Sequence, residues 1–440
     1  MLSAPRLRRI IAAYTINRLG TWFGLLALVV AVFDHTHSAL AIAALLFAGQ
    51  ALPALVVPAL VARVEASKRR SELTALYVFE AFATALLAVL LWHFWLPAVL
   101  LVTAFDGAAA LAVTALLRAE VARAGREELR RPGELSDAEA TYRAERAANA
   151  ALNVAFSTTF VIGPVIGGAV VAAAGPSSAL FIDAGSFLIA GALLLDLHPH
   201  VEEAAGDSVR ARIRTAWLHI RETPWLRALL LAEASALLFI EAGGPIEVTF
   251  VKATLHAGDR GLGLLLTAWG AGSVIGSLVF ARLLRRPLSI LLSAGIFGIA
   301  AAYFGLAAAP SLAVACVAGL VGGVGNGMQW PSLISAVQRL TPERLHGRLM
   351  GAAESLGALC VAVGLPLGGL LVAASSPRAA FVVAGLGALA ATVALLAVSR
   401  LSLKEARAPA YAPAHPQIAE LEADAATTAG ESLPQQLAPR

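Results

Sequence analysis

Charge is scarce in this chain. Only 14% of its 440 residues are Asp, Glu, Lys or Arg, 58% are hydrophobic, and the mean hydropathy is +0.76. So little polar surface excludes a water-soluble globular protein of this length and leaves an integral membrane protein. Cysteine is almost absent: Cys316 and Cys360 offer neither a disulfide framework nor a metal-ligand spacing, and no metal or cofactor is expected. No GxxxxGKS or GxxxxGKT loop occurs, and no polar stretch is long enough for a nucleotide-hydrolysing domain, so ATP-driven work by this chain alone is disfavoured and no enzyme activity is expected. The first apolar run is too long for the core of a cleavable signal peptide.

Long apolar runs fill the space that charge leaves. They cover about 8–33, 38–62, 72–92, 96–118, 147–174, 178–197, 225–251, 261–283, 287–308, 312–337, 347–374 and 378–398, each near the roughly 20 residues that cross a bilayer as helix. Their residues are solidly Leu, Ala, Val and Ile rather than alternating, which rules out barrel strands and leaves an all-α protein of twelve transmembrane helices. The run Gly163-Pro164-Val165-Ile166-Gly167-Gly168 recurs more weakly as Gly364-Leu365-Pro366-Leu367-Gly368-Gly369. The echo predicts two pseudo-symmetric six-helix halves, the usual architecture of secondary transporters.

Basic residues set the expected orientation. With the N-terminus inside, all but four of the 33 Lys and Arg lie on inner segments; Lys252, Arg260 and Arg378 fall outside and Arg18 lies within the first span. Both termini are therefore expected in the cytoplasm, and the net charge of +4 reports topology rather than a nucleic-acid partner. The first half is expected over 1–197 and the second over 225–400. Between them, 198–224 carries Val209, Ile213, Trp217 and Ile220 at helical spacing beside arginines, the pattern of an amphipathic helix on the inner membrane surface. The tail, 401–440, has no apolar period and reads as disordered. The long loop at 119–146, with balanced charges, a Pro132-Gly133 break and a capping pattern from Ser136 to Glu139, reads as a solvated helical hairpin.

Four stretches resemble the major facilitator superfamily, and within it the twelve-span bacterial exporters grouped with macrolide and enterobactin efflux proteins. Gly163, Pro164, Gly167 and Gly168 match the core of that family's antiporter motif, with Thr159 where an upstream glycine stands. Pro164 removes a backbone donor, and the glycines let a neighbouring helix approach closely. The loop after span two keeps the acid and basic pair as Glu65, Arg69 and Arg70, and the loop after span eight keeps only the basic part as Arg282, Arg285 and Arg286. The resemblance implies that these loops form an inner gate. Ile220 to Arg227 resembles the entry to span seven of this group, and Thr341 to Arg348 its loop before span eleven. The chain departs from the family at Thr21 and Thr103, where an acid and an arginine are frequent.

A charge near the centre of a spanning helix costs about 2.5–3.5 kcal/mol on insertion scales, so it needs a partner, water or a function. Arg18, Gln50, Glu80, Asp106, Glu241 and Asn326 fall near the midpoints of their spans. In the resembled fold spans one, four, seven and ten line the cavity, which singles out Arg18, Asp106, Glu241 and Asn326, with Gln329 beside the last. Asp106 is the leading candidate for a protonatable or cation-contacting carboxylate; the competing reading is an ion pair with Arg18. In span seven, Gly243-Gly244-Pro245 is expected to interrupt the helix beside Glu241, Glu247 reads as a solvated rim residue and Glu233 as the partner of a basic loop residue. Glu80 and Asp183, on spans peripheral in that fold, read as structurally paired. Gly319, Gly323 and Gly327 carry the four-residue spacing of close helix packing.

These readings converge on a proton-coupled secondary transporter that exports an amphipathic or cationic small molecule by alternating access. A lipid or siderophore exporter and a non-transporting scaffold or sensor are the alternatives. The expected partners are a small-molecule substrate, protons and the lipid bilayer, in a bacterial cytoplasmic membrane, with the chain a monomer.

Overall fold

Helix boundaries follow local chemistry in the computed structural model, which describes residues 4–53, 72–128, 138–195, 217–283, 286–341 and 346–405. Helix α1 (Pro5–Thr36) begins on a proline, whose missing N–H is no loss in a first turn, and ends at His37 in the left-handed region. Ser38 then caps α2 (Ala39–Leu46), its hydroxyl accepting from the Ala41 N–H at 3.3 Å, and α2 runs on through a π-helical turn at Phe47–Ala51. Next come α3 (Glu72–Leu90), α4 (Leu96–Glu128) and α5 (Ala138–Ala174). Gly175, at φ +81, turns the chain into Pro176, which opens α6 (Pro176–Leu193).

The second half repeats the plan. Helix α7 (Pro224–Thr249) continues as a π-helical turn at Phe250–Thr254. It is followed by α8 (Gly258–Arg282), α9 (Leu288–Ala308), α10 (Leu312–Arg339), α11 (His346–Ala374) and α12 (Pro377–Glu405). Among the described residues, eleven helices are long and apolar enough to cross a membrane; the shorter apolar helix Ala39–Ala51 stands where the second span is expected, and 54–71 lies outside the description. Also outside it are Glu65, Arg69, Arg70 and Arg285, the Pro132-Gly133 break, the Ser136 cap, most of the 198–224 linker and the tail beyond 405. Of the linker, 217–222 is helical, with Trp217 exposed.

Apolar packing distinguishes the two ends of the bundle. At the end away from the N-terminus a single core joins both halves, with Val29, Val32, Ile42 and Leu45 packed among Ile246, Phe250, Val251, Leu262 and Phe381. At the N-terminal end the described residues of the two halves form separate cores. One holds Leu7, Ile10, Leu73, Leu117 and Val121 of the first half, the other Leu226, Leu229, Leu292, Leu333 and Leu395 of the second.

The glycine motifs sit on the seam between the halves and are related by the same pseudo-symmetry. Gly163, Pro164, Gly167 and Gly168 are buried while Val165 and Ile166 face outward. A Cβ on Gly163 would strike the Trp22 ring of α1, and one on Gly168 would come 3.0 Å from the Gly263 Cα of α8. In the repeat, Gly364 and Gly368 lie against Leu238 and Ala242 of α7, and Gly369 against Ala39 and Leu40 of α2. Each motif helix thus packs the first helix of its own half on one side and a helix of the other half on the opposite side. Side chains smaller than any Cβ are what allow these backbones to touch.

On the N-terminal face, α4 extends past the apolar core. Glu120, 2% exposed, binds Arg6 at 2.8 Å and Arg123 at 2.8 Å, and Glu128 accepts from the Arg6 and Leu7 N–H groups, capping α1. The beginning of the expected solvated hairpin is therefore a helical extension clamped to α1.

Candidate functional site

Helix α7 does not break at Gly243-Gly244-Pro245, contrary to the sequence expectation. Pro245 lies inside a continuous helix, and the irregularity comes one turn later at Phe250–Thr254. The Tyr303 hydroxyl of α9 donates to the Phe239 carbonyl (3.3 Å) and the Ile240 carbonyl (3.1 Å), and Thr249 returns a bond to the Pro245 carbonyl at 2.9 Å. The Tyr303 bonds come from a neighbouring helix and the Thr249 bond from α7 itself, and both kinds support a helix that a proline has weakened. Continuity carries Glu247 inward: it joins Glu241 on the wall of a cavity of about 240 Å³ between the halves and is not a rim residue.

That central cavity is aromatic and acidic. Trp22 of α1, Phe160 of α5, Trp269 of α8 and Tyr303 of α9 form its rings, Glu241 and Glu247 its carboxyl groups, and among the described residues no lysine or arginine lines it. Trp22 and Phe160 meet edge to face with centroids 5.5 Å apart.

A second cavity, of about 390 Å³, lies within the first half and shares Trp22, Leu25, Leu46, Gln50 and Phe160 with the first. Arg18, Asp106 and Asp183 face it, with Thr84 and Thr103. Asp106 is hydrogen-bonded through the Thr84 side chain, and its Oδ1 has no partner. Arg18 makes no ion pair with it among the described residues; its guanidinium sits over the Phe156 ring at 5.3 Å and its Nε is unpartnered. The ion-pair reading of Arg18 and Asp106 is not what this structure holds.

Glu80 and Asp183, read from sequence as structurally paired, have no basic partner among the described residues. Glu80 is 1% exposed with Oε2 unpartnered; Asp183, 4% exposed, accepts only from Ser186 on its own helix, at 3.3 Å. Both lie close enough to Asp106 to interact with it electrostatically.

Helix α10 behaves differently from the sequence reading. Gln329, 2% exposed, donates from Nε2 to Glu233 Oε1 at 2.7 Å, so it ties α10 to α7, and Glu233 pairs with an amide instead of a basic loop residue. Asn326 accepts from Ser273 of α8 at 3.5 Å and lines neither cavity. A Cβ on Gly323 or Gly327 would strike the carbonyl of Trp269 or Ser273, which is the close packing their spacing implies. Of the inner-gate residues, Arg282 and Arg286 are described and exposed. Among the described residues no group of three or more His, Cys, Asp or Glu is placed to hold a metal.

A two-half bundle of apolar helices with a cavity on the seam is an arrangement that recurs among secondary transporters. Residues 229–427 match the family model of the Major Facilitator Superfamily. The fold is similar to solved structures of the nucleoside transporter NupG (TM-score 0.65, 13% identity, 89% of this chain and 98% of that one) and of a bacterial homologue of the iron transporter ferroportin in an inward-facing state (TM-score 0.67, 17% identity, 89% and 98%). The family match takes in the second half of the chain, and the similarity to the solved structures is one of fold. Curated relatives include the multidrug efflux pump Tap of Mycobacterium tuberculosis, 27% identical over 230 residues, and that of Mycolicibacterium fortuitum, 28% over 237. Each match takes in 50% of this chain and 54% or 55% of the relative, so the chain spans about half the length of the curated relatives it matches.

Proposed function

We propose that the protein is a secondary active transporter that exports an amphipathic organic cation in exchange for protons by alternating access. The carrying observation is the central cavity, in which four aromatic side chains surround Glu241 and Glu247 with no basic residue among the described residues of the wall. Carboxylates attract a cation, ring faces add about 0.5–2 kcal/mol each where the contact is desolvated, and the apolar remainder suits a lipophilic body. An anionic siderophore would find no basic partner among the described residues of that wall. The relatives named as multidrug efflux pumps support the direction and the cargo class.

The distribution of cores supports the cycle. One joint core closes the end away from the N-terminus, while at the other end the described residues form separate cores in each half, an arrangement that suits rocking. With both termini in the cytoplasm of a bacterial inner membrane, as the basic residues imply, this is an inward-facing state, of halves 1–197 and 225–400. Residues 198–224 and 401–440 complete the proposed organisation as linker and tail. Proton exchange is assigned to Asp106, with Arg18 as the neighbouring charge.

The test is gradient dissipation in inside-out vesicles with an acidic interior, on adding tetraphenylphosphonium, macrolides or neutral drugs. Wild type should collapse the gradient with lipophilic cations and Glu241→Gln should not. No response to any compound from folded protein overturns the exporter reading and leaves a scaffold or sensor. A lipid exporter is the second reading, favoured by an open groove of about 460 Å³ beside Asn153, Ser157 and Val274; movement of a fluorescent lipid between leaflets would select it.

A further inference from the structure

We propose that Glu80, Asp106 and Asp183 form a proton-binding cluster inside the first half, spatially distinct from the cargo cavity, in which Asp183 holds an exchangeable proton alongside Asp106. The inference rests on the transport reading for its purpose and on the second cavity for its chemistry.

Three helices supply the acids: α3 gives Glu80, α4 gives Asp106 and α6 gives Asp183. Asp106 and Asp183 line the cavity, and Glu80 interacts with both electrostatically. Asp183 reaches its place because α1 is bare where it lies: a Cβ at Gly20 or Gly24 would collide with its carboxylate oxygens. The other titratable groups around the cluster are Arg18 and Tyr14 on α1, Tyr77 on α3 and Arg118 on α4; α2 and α5 add only Gln50, Phe156 and Phe160. Among the described residues Arg18 is the only basic one on the cavity wall. Full ionisation would leave two negative charges uncompensated in a dry interior, which a protein relieves by binding protons or a cation.

An independent observation points to a ligand rather than to packing. Thr103 lines the same cavity, is 8% exposed, and its hydroxyl has no hydrogen-bond partner among the described residues; Glu80 Oε2, on a side chain 1% exposed, has none among them either. Buried polar atoms left unpaired cost about 1–3 kcal/mol each, so the cavity is built to receive something polar. Its donor set lacks three acids placed to chelate, which favours protons, carried on the carboxyl groups and relayed by water, over a metal ion. Gln50 and Trp22, on the wall common to both cavities, are the route by which a charge arriving near Glu241 is felt at the cluster.

The experiment is infrared difference spectroscopy of the full chain in lipid nanodiscs, following the C=O stretch of protonated carboxyl groups as pH is stepped. Wild type should show bands that vanish on alkalinisation; Asp183→Asn should delete one of them and Asp106→Asn another, while Asp183→Glu keeps a shifted band in its place. Unfolding temperatures establish that each variant is folded. Bands untouched by Asp183→Asn in folded protein overturn the assignment. So does wild type with no protonated-carboxyl band but carboxylate bands that move on adding sodium, which would make this an inorganic cation site. Adding tetraphenylphosphonium at fixed pH separates the two readings: bands that obey the variants and decrease with the probe support cluster and exchange together. Bands that obey the variants and ignore every lipophilic cation keep the cluster and overturn its link to cation export.

Discussion

Removing the Lys252 side chain should open the end of the bundle away from the N-terminus. Lys252 lies in the π-helical turn that follows α7, and its ammonium reaches Asp34 of α1 at 2.6 Å and Asp259 of α8 at 2.7 Å, 5.7 Å from the centre of the Phe33 ring. Of these, Asp34 and Phe33 belong to the other half, so Lys252→Ala cuts a link across the seam while the contact with Asp259 is local to its own half. The lysine side chain is only 9% exposed but Asp34 is 49% exposed. The pair therefore falls between a surface ion pair, worth about 0.2–1 kcal/mol, and a buried one, whose breaking costs about 3–5 kcal/mol. A loss of about 1–2 kcal/mol is the reasonable expectation, and at about 1.4 kcal/mol per decade it shifts the closed-to-open ratio some 5- to 30-fold. The assay is double electron–electron resonance between labels at Leu40→Cys and Arg260→Cys, exposed sites on opposite halves, with Cys316 and Cys360 replaced by alanine. Lys252→Ala should add a longer-distance population, Lys252→Arg should restore most of the short one, and Asp34→Asn should add nothing to Lys252→Ala. A distance distribution identical to that of wild type in folded Lys252→Ala would refute the claim that this contact holds the halves together.

Three further substitutions probe the seam and the buried polar groups. Gly263→Val places a Cβ 2.5 Å from the Pro164 carbonyl and 3.1 Å from the Gly168 Cα, backbone atoms that cannot swing aside, so the same spin-label pair should report separated halves or the unfolding temperature should fall by an amount matching about 1–3 kcal/mol. Gln329→Leu strands Glu233, whose Oε2 already lacks a partner, and should cost about 1–3 kcal/mol in thermal unfolding in detergent; adding Glu233→Leu should recover most of it, because two apolar groups of similar shape leave nothing unsatisfied. Gly24→Val should destabilise the fold by driving its side chain into the Asp183 carboxylate, and Asp183→Ala should relieve the loss, a coupling that thermal melts of the double-mutant cycle would read directly.

Helix positions were legible in the sequence because lipid demands continuous apolar runs, and composition alone marks where such runs start and stop. Which way each helix faces was not. The outside of a membrane helix is as apolar as its inside, so no polar stripe fixes its azimuth: Phe105 is 58% exposed beside Asp106, which faces a cavity. Counting along spans placed Arg18, Asp106 and Glu241 on cavity walls, but sent Gln329 to a ligand when it holds Glu233, and left Asp183 as structural because its helix was taken as peripheral. The sequence signal for Asp183 was present in Gly20 and Gly24, glycines a full turn apart on α1, but connecting them to α6 requires the packed structure. Glu247 failed through a backbone inference: Gly-Gly-Pro reads as a break, and the Tyr303 hydroxyl and a later π-helical turn let the helix continue. Lys252 entered the sequence reading only as an exception to the charge bias, since its partner across the seam lies in another helix.

The two halves share a frame and differ in chemistry. The glycine motifs of α5 and α11 make equivalent contacts, each with the first helix of its own half and with one helix of the other. The acids do not repeat. In the first half Asp106 and Asp183 face an interior cavity, whereas in the second Glu241 and Glu247 face the seam. A symmetric frame favours a rocking motion in which either end can close over the same centre, because equivalent contacts form and break at the two ends. An asymmetric set of acids favours a division of labour: a cation on the seam touches both halves, while protons are held inside one half, behind the wall the cavities share. In the proposed cycle that wall, Trp22 and Gln50 above all, is where exchange becomes obligatory, since charge entering one cavity changes the field in the other without needing contact between cargo and proton.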